Sequence, residues 1–438
     1  MDAVWTKIFE DKATRERCHI LRMLETQPTH ISFHTPGHKI GGWDITELAY
    51  SDNLSCPRGC IALAEQDIAQ SVGAAKSFIL TDGSTSGVLA MLYAAKSLGV
   101  EKIAVCESAH KSVYNGCKLL GLQPLVYPRA TRGKIPFEPT MSALNEKYLA
   151  ILEEADALLF TTPDYYGNCA DLRGAREYCD KNKKLLLVDG AHGGHMKDDN
   201  RHARFYADIW VDGVHKSLPA LTQGAVVSAA QGFEGALADG VDIFRTTSPS
   251  YPIMASVEYA VKYPENKELA VAVTQYKKAQ LCRVYQNEDW TKLCVRFGEY
   301  AFEAEKKLQE MGLYPEFCDG NVVTFYLSPA TKTQDFEMLK SALDGLYPSY
   351  PLLQDETQED SVERIPAPLE LAEKDTEWVD ISAAENRICA RTCGLFPPCT
   401  PLFSIGERAT KEKLLLLQKA DNVFGVKDGK ICVYSQEK

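Results

Sequence analysis

The sequence predicts an α/β protein: a mostly parallel sheet of seven strands covered by helices on both faces, followed by a smaller α+β unit. Three observations carry the prediction. Seven short apolar runs fall between residues 77 and 228, as expected of strands buried on both faces. Most are separated by segments of helical period, and two of these close on a glycine, Gly99 and Gly121, a common helix stop. After about Pro264 the pattern becomes longer and more polar, which marks a change of architecture.

Residues 1–30 read as a leading helical segment on Val4, Trp5, Ile8, Phe9, Ile20, Leu21, Met23 and Leu24, ending at Gln27-Pro28. Segment 31–60 is rich in Gly, Pro, His and Cys and has little periodicity. It reads as ordered loop, and a loop of that length inside a compact domain is often functional. The predicted order then runs: helix 61–73, strand 77–81, helix 84–98, strand 102–106, helix 111–120, strands 123–127 and 157–161, helix 172–182, and strands 184–188, 209–211 and 224–228. Residues 266–307, without Gly until Gly298, read as one long connecting helix. A strand at 322–328, a helix at 336–346 and an acidic, Pro-bearing stretch at 351–377 follow. Residues 388–390, the Pro397–Pro401 loop, a helix at 410–422 and a strand at 430–434 complete the tail. The division expected is 1–30, 31–264 and 265–438, in keeping with roughly 100–200 residues per domain.

Hydrophobic residues make up 45% of the 438 and charged residues 25%, which excludes a disordered chain or a fibre. Asp plus Glu is 60 against 48 for Lys plus Arg, a net charge of -12. That balance argues against a nucleic-acid or anionic-membrane binder. No apolar run approaches the ~20 residues of a membrane span, and the charged start MDAVWTKIFEDKATRER does not read as a signal peptide. A cytoplasmic protein is expected, its 14 cysteines kept as thiols. Cys56/Cys60 and Cys389/Cys393 have C-x-x-x-C spacing, which reads as ordinary buried thiols rather than a zinc site. His30, His34 and His38 recur every four residues, but Pro36 and Gly37 break any helix there, so no metal is expected.

Four motifs could carry chemistry. In KKLLLVDGAHGGH (183–195) an apolar strand runs into Asp189, at the carboxyl edge where open α/β sheets place ligands; an Asp capping the next turn is the plainer alternative. In VDGVHKSLPALTQGAVV (211–227) Lys216 lies just past another short strand, with His215, Ser217 and Thr222 on the same turn. A desolvated lysine can form an imine with an aldehyde, although a loop lysine is more often solvated. In TDGSTSGVLAMLYAAKSLG (81–99) Gly83, Ser84, Thr85, Ser86 and Gly87 open an apolar helix, the composition of an anion site or simply of a helix cap. Neither the G-x-x-x-x-G-K-[ST] nor the G-x-G-x-x-G pattern is present, which disfavours nucleotides. His110 follows strand 102–106, placed to stack on a planar ring or move protons. Together, in that chain order, these features suit a phosphorylated pyridine aldehyde, with the aspartate keeping the ring nitrogen protonated.

The sequence resembles the pyridoxal-phosphate enzymes of the aspartate-aminotransferase fold (fold type I). Among them it is similar to the ornithine/lysine/arginine decarboxylase family in its short form, without an extra N-terminal wing domain. FHTPGHKIGG (33–42), DITEL (44–48), DNLSCPRGCIALAE (52–65), DGSTSG (82–87), AHKS (109–112), TTPDYYG (161–167), DGAHGGH (189–195), HKSLPALTQ (215–223) and TSPSYPIMASVEYA (247–260) carry the resemblance. NRICA (386–390), FPPCTPL (396–402) and GER (406–408) extend it more weakly.

The resemblance implies pyridoxal 5'-phosphate as cofactor, Lys216 holding it as an imine, and Asp189 at the pyridine nitrogen. It implies His110 on one ring face with Ala191 on the other, Ser84, Thr85 and Ser86 at the phosphate, His215 beside the imine, and His192 among the cofactor-binding residues. Thr247 and Ser248 would come from the neighbouring subunit of a homodimer, or of a higher homo-oligomer, with shared active sites. The reaction implied is decarboxylation of arginine, lysine or ornithine to its amine, in polyamine metabolism. Three positions depart from the pattern. Gly213 stands where Ser is usual, Val214 replaces a hydroxyl, and Pro397-Pro398-Cys399-Thr400-Pro401 replaces P-P-G-I-P. Two other readings stay open: an aminotransferase or lyase on the same cofactor, with Arg387 or Arg391 available for an α-carboxylate, and a non-catalytic cofactor-binding protein.

Overall fold

The computed structural model describes residues 8–132, 135–141, 146–352, 375–395, 401–403, 405–420 and 422–435. The large sheet begins with β1 (Lys76–Leu80), β2 (Lys102–Cys106) and β3 (Gln123–Tyr127). A hairpin, β4 (Ala130–Arg132) and β5 (Ile135–Phe137), lies outside it. The sheet resumes with β6 (Ala157–Thr161), β7 (Leu185–Gly190), β8 (Ile209–Asp212) and β9 (Ala225–Ala229). Its order is β1-β9-β8-β7-β6-β2-β3. Only β9 is antiparallel to its neighbours β1 and β8, so six strands share one direction. The seven-stranded, mostly parallel sheet read from the sequence is the one observed.

The strands are continuously apolar because successive side chains enter different cores. Ile103, Val105, Leu159, Leu187 and Val211 pack with the helices Ser84–Ser97, Lys111–Leu120 and Glu234–Phe244. Ala104, Cys106, Leu158, Phe160, Leu186 and Val188 face the opposite way, toward Leu152, Leu172 and Cys179. Each Leu, Ile or Val buried this way contributes roughly 1.5–3 kcal/mol over exposure. A third cluster joins Phe9, Ile20 and Leu24 to Ile68, Met254 and Val257. The N-terminal segment therefore shares a core with the helices Cys60–Ser71 and Tyr251–Lys262. Its described residues include two short helices, Lys12–Arg15 and His19–Thr26, the first capped by Asp11 accepting from the Thr14 amide at 2.7 Å. Val4 and Trp5 lie outside the described residues. Residues 27–59 contain neither helix nor strand, as expected.

The long helix expected over 266–307 is corrected. The chain is helical over Lys267–Ala279, turns, forms β10 (Lys292–Arg296), and becomes helical again at Ala301–Glu310. Asp289 builds the turn, accepting from the Thr291 amide (2.8 Å) and hydroxyl (2.7 Å). β11 (Phe317–Cys318) and β12 (Val322–Tyr326) complete an antiparallel sheet in which Lys292 pairs with Tyr326. Pairing with a distant strand outweighs the local helical period. The helices Lys267–Ala279, Ala301–Glu310 and Thr333–Leu346 share its core.

Further strands, β13 (Thr376–Asp380), β14 (Cys393–Leu395), β15 (Pro401–Phe403), β16 (Val423–Phe424), β17 (Val426–Lys427) and β18 (Lys430–Tyr434), form two three-stranded sheets with the helix Lys411–Lys419. Ile388 and Cys389 contribute only isolated bridges. Most of the acidic stretch (353–374) and the positions Pro397, Pro398, Cys399 and Thr400 lie outside the described residues. Among the described residues no helix is long and apolar enough to cross a membrane.

Candidate active site

The carboxyl edge of the large sheet gathers the predicted residues. β1 leads through Gly83, at φ +85°, into the helix Ser84–Ser97. A Cβ on Gly87 would come within 2.6 Å of Val211, so glycine lets this helix lie against the sheet and brings its N-terminus to the edge. Ser84 is half-buried and Thr85 exposed, both in the first turn, whose amides favour an anion. Ser86 is buried, and its hydroxyl lies 2.6 Å from Asp82 Oδ1 and 2.9 Å from the Gly83 carbonyl. Asp82 Oδ2 also accepts from the Thr246 amide at 3.1 Å. This contact leaves Thr247 and Ser248, both exposed, a short step beyond the helix start.

Asp189, 2% exposed, stands near the end of β7 beside Thr161 of β6. The Ala191 amide donates to its Oδ1 at 3.2 Å. Burial pushes its carboxyl pKa up and the charge of Lys216 pulls it down. His110 caps the helix Lys111–Leu120, Nδ1 accepting from the Ser112 amide at 3.2 Å. That bond leaves the neutral ring's proton on Nε2. Burial, aided by Lys216, lowers the His110 pKa to about 3.

Lys216 sits on the short turn Val214–Ser217 after β8. Its Nζ is 3.3 Å from His192 Nε2 and 5.9 Å from the centre of the Tyr165 ring. His192 is buried between Tyr165 and Tyr326, with ring centres 4.8 and 5.5 Å away. Burial and the charge of Lys216 hold it well below its ordinary pKa. His215 Nδ1 lies 2.9 Å from the Gly224 carbonyl, and burial lowers its pKa too. The departure at Gly213 has a steric cause: a Cβ there would stand 2.4 Å from the Ala191 carbonyl oxygen.

Sequence reading missed Lys292. It is fully buried and 3.8 Å from the centre of the Tyr326 ring, and its amine has no hydrogen-bond partner among the described residues. Burial lowers its pKa, with the charge of Lys216 acting the same way. The alternation Lys292-Leu293-Cys294-Val295 signals a strand, but nothing local marks that lysine as buried.

The predicted metal alternatives find other partners. His30 Nδ1 lies 2.8 Å from the Pro28 carbonyl, His34 Nδ1 2.6 Å from Thr46 Oγ1, and His38 Nε2 2.9 Å from Asp44 Oδ2. His19, Asp67 and Glu258 do cluster. There, however, the Lys262 ammonium, 2.6 Å from Asp67 and 2.8 Å from Glu258, supplies the cation.

The chemistry of this edge fits pyridoxal phosphate. Thr81 Oγ1, Thr161 Oγ1, His192 Nδ1 and Ser217 Oγ are buried without hydrogen-bond partners among the described residues. Asp189 is a buried carboxylate suited to a cationic N–H donor, and a helix N-terminus stands ready for the phosphate. Fold and site together define the pyridoxal-phosphate enzymes of fold type I.

Comparison with known proteins narrows the class. The family model for the Orn/Lys/Arg decarboxylase major domain matches residues 23–288. The chain is 28% identical to the uncharacterized protein YaaO of Bacillus subtilis, covering 93% of this chain and 96% of that one. It is 25% identical to an arginine decarboxylase of the same organism, covering 89% and 90%. In structure it is similar to the lysine decarboxylase LdcF of Francisella novicida, with a TM-score of 0.76 and 16% identity over 95% of this chain and 81% of that one. The chain belongs to the Orn/Lys/Arg decarboxylase family, and it is a pyridoxal-phosphate-dependent decarboxylase.

Proposed function

We propose that the protein decarboxylates a basic amino acid, arginine, lysine or ornithine, and that Lys216 is the residue that holds the cofactor. The observation that carries the reading is the placing of buried Asp189 at the end of β7 within electrostatic reach of Lys216, whose Nζ lies 3.3 Å from His192 Nε2. Pyridoxal phosphate, when bound, supplies the electron sink that lets the α-carbon lose CO2. Asp189 would keep the proton on the ring nitrogen. His110 and Ala191 would flank the ring, and the amides and hydroxyls of Ser84 and Thr85 would take the phosphate. His192, held neutral by burial, would accept a hydrogen bond from Lys216 Nζ and orient that amine to return a proton to the α-carbon once the substrate's amine has taken its place on the cofactor. Tyr165 and Tyr326 close the space around His192 to water.

Thr247 and Ser248, exposed on the loop tied to Asp82, would complete the site of the neighbouring subunit in a homodimer. The boundary near residue 264 would separate the cofactor-binding unit from the rest. A cytoplasmic location accords with the reaction. The aminotransferase reading loses support because Arg387 donates to Glu377 at 2.5 Å and to the Tyr434 carbonyl at 2.9 Å, while Arg391 lies over Trp378.

The test offers each amino acid to the purified holoenzyme and measures CO2, amine and keto acid. CO2 with a matching amine supports the reading; a keto acid, or no product from any of the three, refutes it. Lys216→Ala should abolish both the visible absorbance and turnover, and borohydride should attach the cofactor to Lys216. Attachment to another lysine would overturn that assignment.

A further inference from the structure

A fully buried lysine whose amine has no hydrogen-bond partner needs a physical reason. Lys292 opens β10 and pairs there with Tyr326 of β12. Its backbone is fixed: its amide donates to the Asp289 carbonyl at 3.2 Å, and its carbonyl accepts from Asn287 Nδ2 at 3.0 Å. A Cβ on Gly167, in the turn after β6, would come within 2.9 Å of the Lys292 Cβ, so the strand is packed tightly at this point. Its amine lies 3.8 Å from the centre of the Tyr326 ring and is unpartnered among the described residues.

Such a residue is costly to fold. An ammonium in this place is less stable than an apolar side chain of similar length, and methionine would fill the strand position as well. Asp289 does not relieve it by contact, because its Oδ1 is committed to the His195 ring at 2.9 Å and to the Thr291 amide and hydroxyl. Burial lowers the Lys292 pKa; Asp289, Glu316 and Cys294 act against that shift, and Lys216 acts with it. Lys277, on the neighbouring helix, repels Lys292 in the same sense. A line of contacts leads from the Lys292 amine to Lys216. The Tyr326 ring lies edge to face with His192 at 5.5 Å, and His192 Nε2 lies 3.3 Å from Lys216 Nζ. The Tyr326 hydroxyl donates to the Tyr165 carbonyl at 3.0 Å, which holds the ring in place. Both His192 and Lys292 are buried, so little water screens one amine from the other. The charge of Lys216 is felt at both.

We infer that Lys292 is a positioning residue for Lys216: across Tyr326 and His192 it sets a positive charge that keeps the Lys216 nitrogen ready to act as a free amine. The inference rests on the reading of Lys216 as the cofactor lysine and deepens it. Other groups act on the same nitrogen. The Asp189 carboxylate favours a proton there, while burial holds His110, His192 and His215 toward their neutral forms. The Tyr165 ring lies 5.9 Å from the amine. Lys292 supplies a cation that opposes Asp189, and only an unprotonated amine attacks an aldehyde. A lysine held for packing would stabilise the fold, whereas one held for its charge destabilises it.

Lys292→Met, which removes the charge at similar length, and Lys292→Arg, which keeps it, test the role against the wild-type holoenzyme. One readout is a pH titration of the cofactor's visible absorbance, which reports the proton on the Lys216 nitrogen. The other is thermal melting. Lys292→Met should move the absorbance midpoint upward by roughly 0.5–1 pH unit, because losing a neighbouring positive charge favours the protonated nitrogen. Its melting temperature should hold or rise. Lys292→Arg should stay within about 0.2 pH unit of the wild-type midpoint, since its charge persists; should arginine prove too large for the strand to fold, the Met variant decides alone. An unshifted midpoint in Lys292→Met overturns the inference. A clear fall in its melting temperature overturns it too, making Lys292 a structural residue, and so does an equal shift in a folded Lys292→Arg. Borohydride attachment of the cofactor to a lysine other than Lys216 in the wild type refutes the functional reading and this role with it. Attachment to Lys216 together with an unshifted Met midpoint removes the role of Lys292 alone.

Discussion

Gly213→Ser restores the residue the family pattern carries at this position, and the structure predicts harm rather than rescue. The new Cβ would stand 2.4 Å from the Ala191 carbonyl oxygen, 3.2 Å from its carbonyl carbon and 3.3 Å from its Cα. Ordinary contacts lie near 3.5–4.0 Å, so the nearest atom is short by roughly 1 Å, and it is backbone, which cannot swing aside. Overpacking of this kind costs about 1–3 kcal/mol. For a unit of 150–250 residues that is a melting drop of roughly 2–12 °C. Relief must come from displacing Ala191, two residues after Asp189, so cofactor retention should weaken as well. Thermal melts of the cofactor-free protein and a cofactor titration followed by visible absorbance measure the two effects. Gly213→Ala should reproduce the losses, because the collision belongs to Cβ. A Ser variant that melts with the wild type and holds the cofactor more tightly would refute the steric account and make the missing hydroxyl the real deficit.

Three further predictions follow from the same geometry. If Asp189 keeps the ring nitrogen protonated, as proposed, Asp189→Asn removes that charge, so turnover should fall by orders of magnitude while circular dichroism and melting hold; near-normal turnover would contradict the role. His110 has a folded pKa of about 3 against an ordinary 6.5, so the unfolded chain takes up its proton first. Stability is then lost as pH falls from 6.5 toward 3, at up to about 1.4 kcal/mol per pH unit. His110→Asn, which keeps an acceptor for the Ser112 amide, should flatten that slope in urea titrations of the cofactor-free protein, and an unchanged slope would show that His110 is not the titrating group. Mixing Lys216→Ala with Thr247→Ala/Ser248→Ala should restore activity, since shared sites put both defects in one site of the heterodimer and leave the other intact; no recovery despite subunit exchange would rule out sharing.

Local pattern alone determined a good deal. The seven apolar runs became the seven strands because a sheet covered on both faces demands apolar side chains on both, whatever lies far away in sequence. The places of Asp189, Lys216, His110 and Ser84 were legible because each sits at a strand end, just past a strand or at a helix start, and parallel strands bring such ends to one edge. Tertiary structure alone decided the rest. β10 lies inside a stretch of helical period because β12, about thirty residues on, offers it hydrogen bonds. Lys292 is buried by that pairing. Gly213 reads locally as a lost hydroxyl and in three dimensions as the only residue that clears the Ala191 carbonyl. Glu138 and Asp164 are ordinary acids in sequence, one after a hairpin and the other in a turn. Only folding buries both, and burial raises both carboxyl pKa values.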